Sequence, residues 1–198
     1  MARFDAAHRQ DPNVEVFEGE LHPKELLYAQ RLSAWLLVVE PDASEILRLA
    51  ARAQHLYRWR IPRADYPMDR QGYLAWRGRL AMFHVEHAAE ILRQVGYDEA
   101  TIARVQALVR KENLKRDPEA QTLEDAVCLL FLEHELGAFA PRVGTEKLGT
   151  ILRQTWHKMS PRGRHLALEQ RLLPADMARD LLPKSLPGAD APSSPSSR

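Results

Sequence analysis

An all-α fold follows from three features of the chain. Apolar residues recur at three- and four-residue spacing through most of its length, the segments carrying them are separated by proline, glycine or a capping acid, and alternating apolar runs are nearly absent. The segments add up to a single array of seven or eight helices. With 198 residues, 45% hydrophobic and 28% charged, the chain suffices for one substantial core and is short for two. The expected organisation is an irregular lead-in over 1–22, a helical domain over 23–182 and a disordered tail over 183–198, where PKSLPGADAPSSPSSR offers no large hydrophobe beyond Leu186.

Taken in order, the lead-in holds Asp11-Pro12-Asn13 and the alternation Val14-Glu15-Val16-Phe17, too brief to imply a sheet. From Pro23 a helix carries Leu27, Leu32, Trp35, Leu36 and Val39 on one side and stops before Pro41. Asp42, with Glu45 three residues on, reads as a capping box for a second helix whose buried stripe is Ile46, Leu49, Ala50, Ala53 and Leu56, with His55 near its end. Pro62 and Pro67 make IPRADYPMDRQG a connecting loop, and a long third helix runs from Asp69 or Gly72 to Val95. Gly96 ends it, and Asp98 caps a fourth with Ile102, Val105, Leu108 and Val109 inward. After the polar segment KENLKRDPEAQ, Thr122 is expected to cap a fifth helix, Leu123 to Leu136, apolar enough to be central. A helix from Thr145 to Lys158 follows, then Ser160-Pro161 opens short helices reaching to about Leu182.

Charge excludes one broad class of function. Lysine plus arginine (28) nearly cancels aspartate plus glutamate (27), so any attraction to phosphate or nucleic acid must come from local clustering. The lone cysteine, Cys128, lies in the apolar run VCLLFL and reads as a small buried hydrophobe, which fits a reducing compartment. No apolar run approaches membrane-spanning length and MARFDAAHRQD lacks a secretory signal's hydrophobic segment, so a cytoplasmic protein with no membrane partner is expected. There is no GxxxxGK loop, HExxH helix, GxSxG elbow or paired CxxC. Lys158-Met159-Ser160 matches the opening of a class I synthetase loop, but Pro161 and Arg162 break the pattern and no HxGH string accompanies it.

The stretch from Leu49 to Leu92 concentrates the chemistry, with three of the eight histidines and two of the four tryptophans. His84 and His87 stand three apart among Leu80, Phe83, Ile91 and Val95, which places both rings near one inward face, where polar groups need partners. Arg58, Arg60, Arg63, Arg70, Arg77 and Arg79 alternate with Tyr57, Trp59, Tyr66, Tyr73 and Trp76, a mixture of bidentate forks and stacking rings suited to nucleotide or single-stranded nucleic acid. Arg58 and Arg63, beside His55, are the choices for phosphate contacts.

On these residues the chain resembles the HD-type metal phosphohydrolases. His84-Val85-Glu86-His87-Ala88-Ala89 looks like the later histidine helix of that superfamily, Glu124-Asp125-Ala126 like its final aspartate, and His55 falls where its His-Asp pair is expected. The departures are specific: no His-Asp dipeptide occurs, His55 being followed by Leu56, and Tyr28 occupies the place of the first histidine. Across ELLYAQRLSAWL, ARAQHLYRWRIPRADYPMDRQGYLAWR, FHVEHAAEILRQVGYDEATI, TLEDAVCLLFLE and WHKMSPRG the chain is more closely similar to an uncharacterised family, domain of unknown function 4202. That resemblance implies an HD-like helical fold of unassigned activity. It also implies arginine at the position of His87, which leaves His84 the better ligand.

The expected function is a degenerate HD-like phosphohydrolase acting on a phosphorylated small molecule or nucleotide. His84, Asp125 and, less favoured, His87 are its candidate ligands for a divalent metal, His55 its ligand or acid/base, and Arg58 and Arg63 its charge stabilisers. The alternative is a non-catalytic helical module that binds nucleotide or RNA. Asp125 has a bland reading as the partner of Thr122 in a capping box, and His55 as a cation favoured at a helix C-terminus.

Overall fold

A computed structural model describes residues 1–174. Among these residues nine α-helices and one two-stranded hairpin form a predominantly all-α protein. The expected helices beyond 174 and the expected tail over 183–198 lie outside the described residues.

The lead-in is ordered, which corrects the expectation for 1–22. Helix α1 (Ala2–His8) buries Phe4, Ala7 and His8, and His8 Nε2 donates to the Arg52 carbonyl at 3.0 Å. Strands β1 (Val14–Phe17) and β2 (Glu20–Pro23) pair antiparallel, with Val14 opposite Pro23 and Phe17 opposite Glu20. Glu18 and Gly19 both adopt positive φ, +52° and +85°, the geometry of a tight two-residue hairpin turn. A four-residue alternation is a weak signal until its turn is recognised.

Helix α2 (Lys24–Val39) has Pro23 at its N-cap, which offers no side-chain oxygen. Asp11 serves from a distance: its Oδ2 accepts from Glu25 N at 3.0 Å, and its Oδ1 from the backbone and side chain of Asn13. Helix α3 (Glu45–Arg52) is capped by Ser44, whose Oγ accepts from Leu47 N at 3.1 Å, in place of the expected Asp42. The same hydroxyl donates to Glu119, so a tertiary contact selects the cap. The 25-residue helix α4 (Arg70–Gln94) starts under Asp69 and ends before Gly96 at φ +89°. Helix α5 (Glu99–Val109) has the expected Asp98 cap.

Helix α6 (Pro118–Leu130) begins earlier than expected. Asp117 accepts from Glu119 N and Ala120 N with proline at the first position, while its carboxylate also pairs with Arg104. Thr122 therefore lies inside the helix and forms no capping box with Asp125. A π-helical turn (Phe131–Glu135) continues α6 into α7 (Leu136–Phe139), and α8 (Thr145–Lys158) and α9 (Pro161–Glu169) follow as expected. Helix α6 packs on α2, α8 and α9, α3 bridges α2 and α5, and α4 lies along α5. Leu32, Ala50, Leu56, Leu108, Leu123 and Leu129 are fully buried at the centre. No helix among the described residues is long and apolar enough to cross a membrane.

Helix α4 positions the candidate site. Its inner stripe, His84, Val85, Ala88 and Leu92, is buried, and it continues toward the N-terminus through buried Leu80, Trp76 and Gly72, while Leu74 and Arg77 beside it are exposed. The first half of the helix thus packs on the 58–67 loop through Gly72 and Trp76, the latter donating to the Ile61 carbonyl.

Candidate active site

After α3 ends at Arg52 the chain turns through two left-handed residues, His55 at φ +61° and Tyr57 at φ +53°. Such φ values are uncommon for residues with a Cβ and cost about 1 kcal/mol or more each. The turn delivers the imidazole of His55 onto Tyr28, with rings stacked at 4.0 Å, and to within 5.9 Å of the His84 ring. His55 and His84, read separately from the sequence, are thus brought together.

Hydrogen bonds set both tautomers. His84 Nδ1 lies 2.7 Å from the Leu56 carbonyl, which only accepts, so Nδ1 carries the proton and Nε2 the lone pair. At His55, Nε2 lies 3.2 Å from an Arg58 nitrogen, which only donates, so Nε2 accepts and Nδ1–H donates to Glu25 Oε2 at 3.0 Å. The other Glu25 oxygen lies 3.7 Å from Arg58 Nε, and the Arg58 guanidinium stands 5.0 Å from the centre of the Trp76 ring. Carboxylate, imidazole and guanidinium therefore form one closed chain at the start of α2.

Burial governs the charge states. It holds His55 well below the ordinary imidazole range, with the cations Arg58 and Arg77 adding to the effect. His84 is lowered to about 3, by burial first and by the neighbouring His55 second, against the favourable pull of the Leu56 carbonyl. The same burial pushes the carboxyls of Glu25 and Glu135 up, against the opposing pull of Arg58, and raises the Tyr28 phenol. Burial thus moves each of these groups toward its neutral form. Glu135 reaches this cluster from the π-helical turn, and such turns are frequent at functional sites.

The other residues singled out from the sequence make different contacts. Asp125 is buried and closes the contact of α6 with α9, its Oδ1 accepting from Ser160 N at 2.8 Å and Gln121 Nε2 at 2.9 Å, its Oδ2 from the Ser160 hydroxyl. His87 packs edge-on against Phe83 and Tyr57 and lies 3.4 Å from Glu90. Arg63 donates to the carbonyls of Tyr66, Pro67 and Asp69, clamping its own loop. Lys158 pairs with Glu124, Met159 is buried and Ser160 caps α9, so that tripeptide is structural. Among the described residues no three His, Cys, Asp or Glu side chains are grouped so as to hold a metal ion, and the donors present do not fit the metal centre the HD resemblance implies.

Sequence reasoning missed Glu25 and Glu135. Glu25 gives no local sign, because the partners of its side chain, His55 and Arg58, lie 30 or more residues away. Glu135 depends on a π-helical turn that no spacing announces.

The chain matches, over residues 1–179, the family described as Domain of unknown function (DUF4202). It belongs to that family. No curated protein and no solved structure matches this DUF4202 chain.

Proposed function

We propose that this DUF4202 protein binds a phosphorylated small molecule at the Glu25–His55–Arg58 cluster, as a degenerate relative of the HD-like folds, with phosphoester hydrolysis as its chemistry. The observation that carries the reading is the closed chain in which Glu25 orients His55 Nδ1 while Arg58 occupies His55 Nε2 at 3.2 Å. A phosphoryl group reaching the Arg58 side chain, which is 27% exposed, offers it a better acceptor than imidazole, because guanidinium and phosphate form paired, charge-assisted bonds. Arg58 then leaves Nε2 with its lone pair toward the ligand, and Glu25 on the opposite nitrogen stabilises the ring as it takes a proton from water; the water oxygen bonds to phosphorus, the P–O ester bond breaks, and the protonated ring returns the proton to the departing oxygen. Arg77, exposed on α4 and close enough to act on His55, adds a second cation, and no step runs through a metal.

The test is a panel of phosphomonoesters and nucleotides assayed for phosphate release, with Arg58→Gln and His55→Gln beside the unaltered protein. The expected result is turnover that His55→Gln lowers at least a hundredfold and Arg58→Gln weakens chiefly through KM. Saturable binding abolished by Arg58→Gln but without turnover would leave the ligand site and remove the hydrolase. Loss of neither binding nor turnover in Arg58→Gln would remove both.

A second reading, a non-catalytic module for nucleotide or RNA, is favoured by one observation. His55 and His84 are both held below the range in which imidazole is an effective base near neutral pH. It calls for affinity that survives chelation, with no product formed.

A further inference from the structure

A groove of about 540 Å³ lies between α4 and the 60–66 segment, lined by Arg60, Ile61, Asp65, Tyr66, Arg79, Phe83 and His87 and by none of Glu25, His55 and Arg58. Its size falls in the range of small-ligand sites. We propose that it is a second binding site, for a nucleotide unit, independent of Arg58.

Three observations carry this. The first is the cations. The Arg60 guanidinium lies 4.2 Å from the centre of the Tyr57 ring with its side chain at the surface, and that of Arg79 lies 5.6 Å from the Phe83 ring. Arg79 has one acidic neighbour, Glu86 at 3.6 Å, and with both side chains half exposed that pair is weak enough to be exchanged for phosphate.

The second is the rings. Tyr66, Phe83 and His87 are half-buried, and Phe83 meets His87 edge-on at 4.4 Å, so part of each aromatic surface faces the groove. A purine or pyrimidine stacks on such a surface whatever its identity. Asp65 supplies a carboxylate acceptor for a ribose hydroxyl or exocyclic amine.

The third is rigidity. The wall formed by residues 58–66 is held by the three carbonyl contacts of Arg63 and by Trp76 Nε1, which donates to the Ile61 carbonyl at 2.9 Å. A wall already in place does not have to be ordered by its ligand.

The nucleotide unit can be free or part of a single strand. Past His87 a smaller cavity of about 220 Å³, lined by Arg3, Gln10 and Tyr57 among others, gives a strand a second seat.

The experiment titrates the full chain with adenosine monophosphate, with ribose 5-phosphate and with a six-nucleotide single-stranded oligoadenylate. It compares the unaltered protein with Arg60→Ala/Arg79→Ala, Phe83→Leu and Arg58→Gln, each checked for folding by its thermal transition. The expected result is saturable binding of the monophosphate or the oligonucleotide, at least tenfold tighter than ribose 5-phosphate. The double variant should lower it at least tenfold and Phe83→Leu about threefold or more, while Arg58→Gln should remove only a separate binding step and leave the one sensitive to the double variant in place. Preference for the monophosphate assigns a free nucleotide, and preference for the oligonucleotide assigns a strand. Binding that ribose 5-phosphate equals, that the folded double variant retains, or that neither probe shows overturns the groove. Binding lost only in Arg58→Gln returns it to the His55 cluster.

Discussion

A Cβ placed on Gly72 would stand 2.1 Å from the Pro67 carbonyl oxygen. The first turn of α4 is thus seated directly on the loop that carries Arg58 and Arg60, with no room for a side chain between them. Gly72→Ala is expected to lower stability by about 3 kcal/mol, the upper range for overpacking, because the atom it meets is backbone. Urea unfolding at neutral pH measures this, and a variant within about 0.5 kcal/mol of the parent would show that the loop yields freely.

Arg63 holds the same loop from the other side. Since its guanidinium is committed to the carbonyls of Tyr66, Pro67 and Asp69, Arg63→Ala is expected to speed amide exchange across residues 57–69 at least tenfold. Phosphate-ligand affinity should fall far less than in Arg58→Gln. An equal or larger loss of affinity in the alanine variant, with unaltered exchange, would return Arg63 to the role of a phosphate contact.

Asp125 is expected to act as a structural tie. Asp125→Asn retains an acceptor but presents an amide to Ser160, and should cost about 2 kcal/mol, typical of weakening a buried charged hydrogen-bond acceptor. Gly163→Ala should be comparably harmful, since its Cβ would come within 2.7 Å of the Asp125 carboxyl carbon. Turnover per folded molecule should be unchanged in Asp125→Asn; a hundredfold loss in a fully folded variant would make Asp125 a functional group.

Acid sensitivity carries a defined sign. His84 is at about 3 in the native state against an ordinary 6.5, so above pH 6.5 neither native nor unfolded chain is charged there and its contribution is complete. Between pH 6.5 and about 3 the unfolded chain takes a proton that the native state refuses, and stability is lost as pH falls. Glu25 and Glu135 act in the opposite sense. Raised in the native state, they contribute below the ordinary carboxyl value and lose that contribution as pH rises through their native values. His84→Gln isolates one side of this balance. Its stability deficit against the parent should shrink by about 2 kcal/mol between pH 7 and pH 5, at ~1.4 kcal/mol per pH unit below 6.5. A deficit that does not change with pH would contradict the assigned neutral ring.

Cys128 should be silent to thiol reagents. It is 5% exposed, and burial, reinforced by Glu124, pushes its thiol up to about 12. A disulfide exchange reagent at pH 8 should label less than a tenth of the native protein in an hour and all of it in denaturant. Rapid native labelling would mean that α6 opens locally.

What was legible in the sequence is what local chemistry decides. Asp98, Ser160 before Pro161, Gly96 and the bounds Thr145–Lys158 each depend on residues within one turn, and each is found where expected. Ser44 and Asp117 displaced the expected caps because each is engaged by a second helix, through Glu119 and Arg104 respectively. The same divide runs through the candidate site. His84 could be read from a polar ring in apolar surroundings and His55 from its place in a resemblance, whereas Glu25 depends on His55, thirty residues away. Asp125 in an apolar helix resembled a ligand, since its partner Ser160 is 35 residues distant and nothing in its own helix points to it.

The left-handed backbone at His55 and Tyr57 bears on how this chain would respond to selection. Asparagine or glycine accepts that conformation more readily than an aromatic ring does, so both positions keep their side chains against the preference of the main chain. Selection for heat tolerance alone would favour such replacements at both positions, and whatever task the rings perform would be surrendered with them.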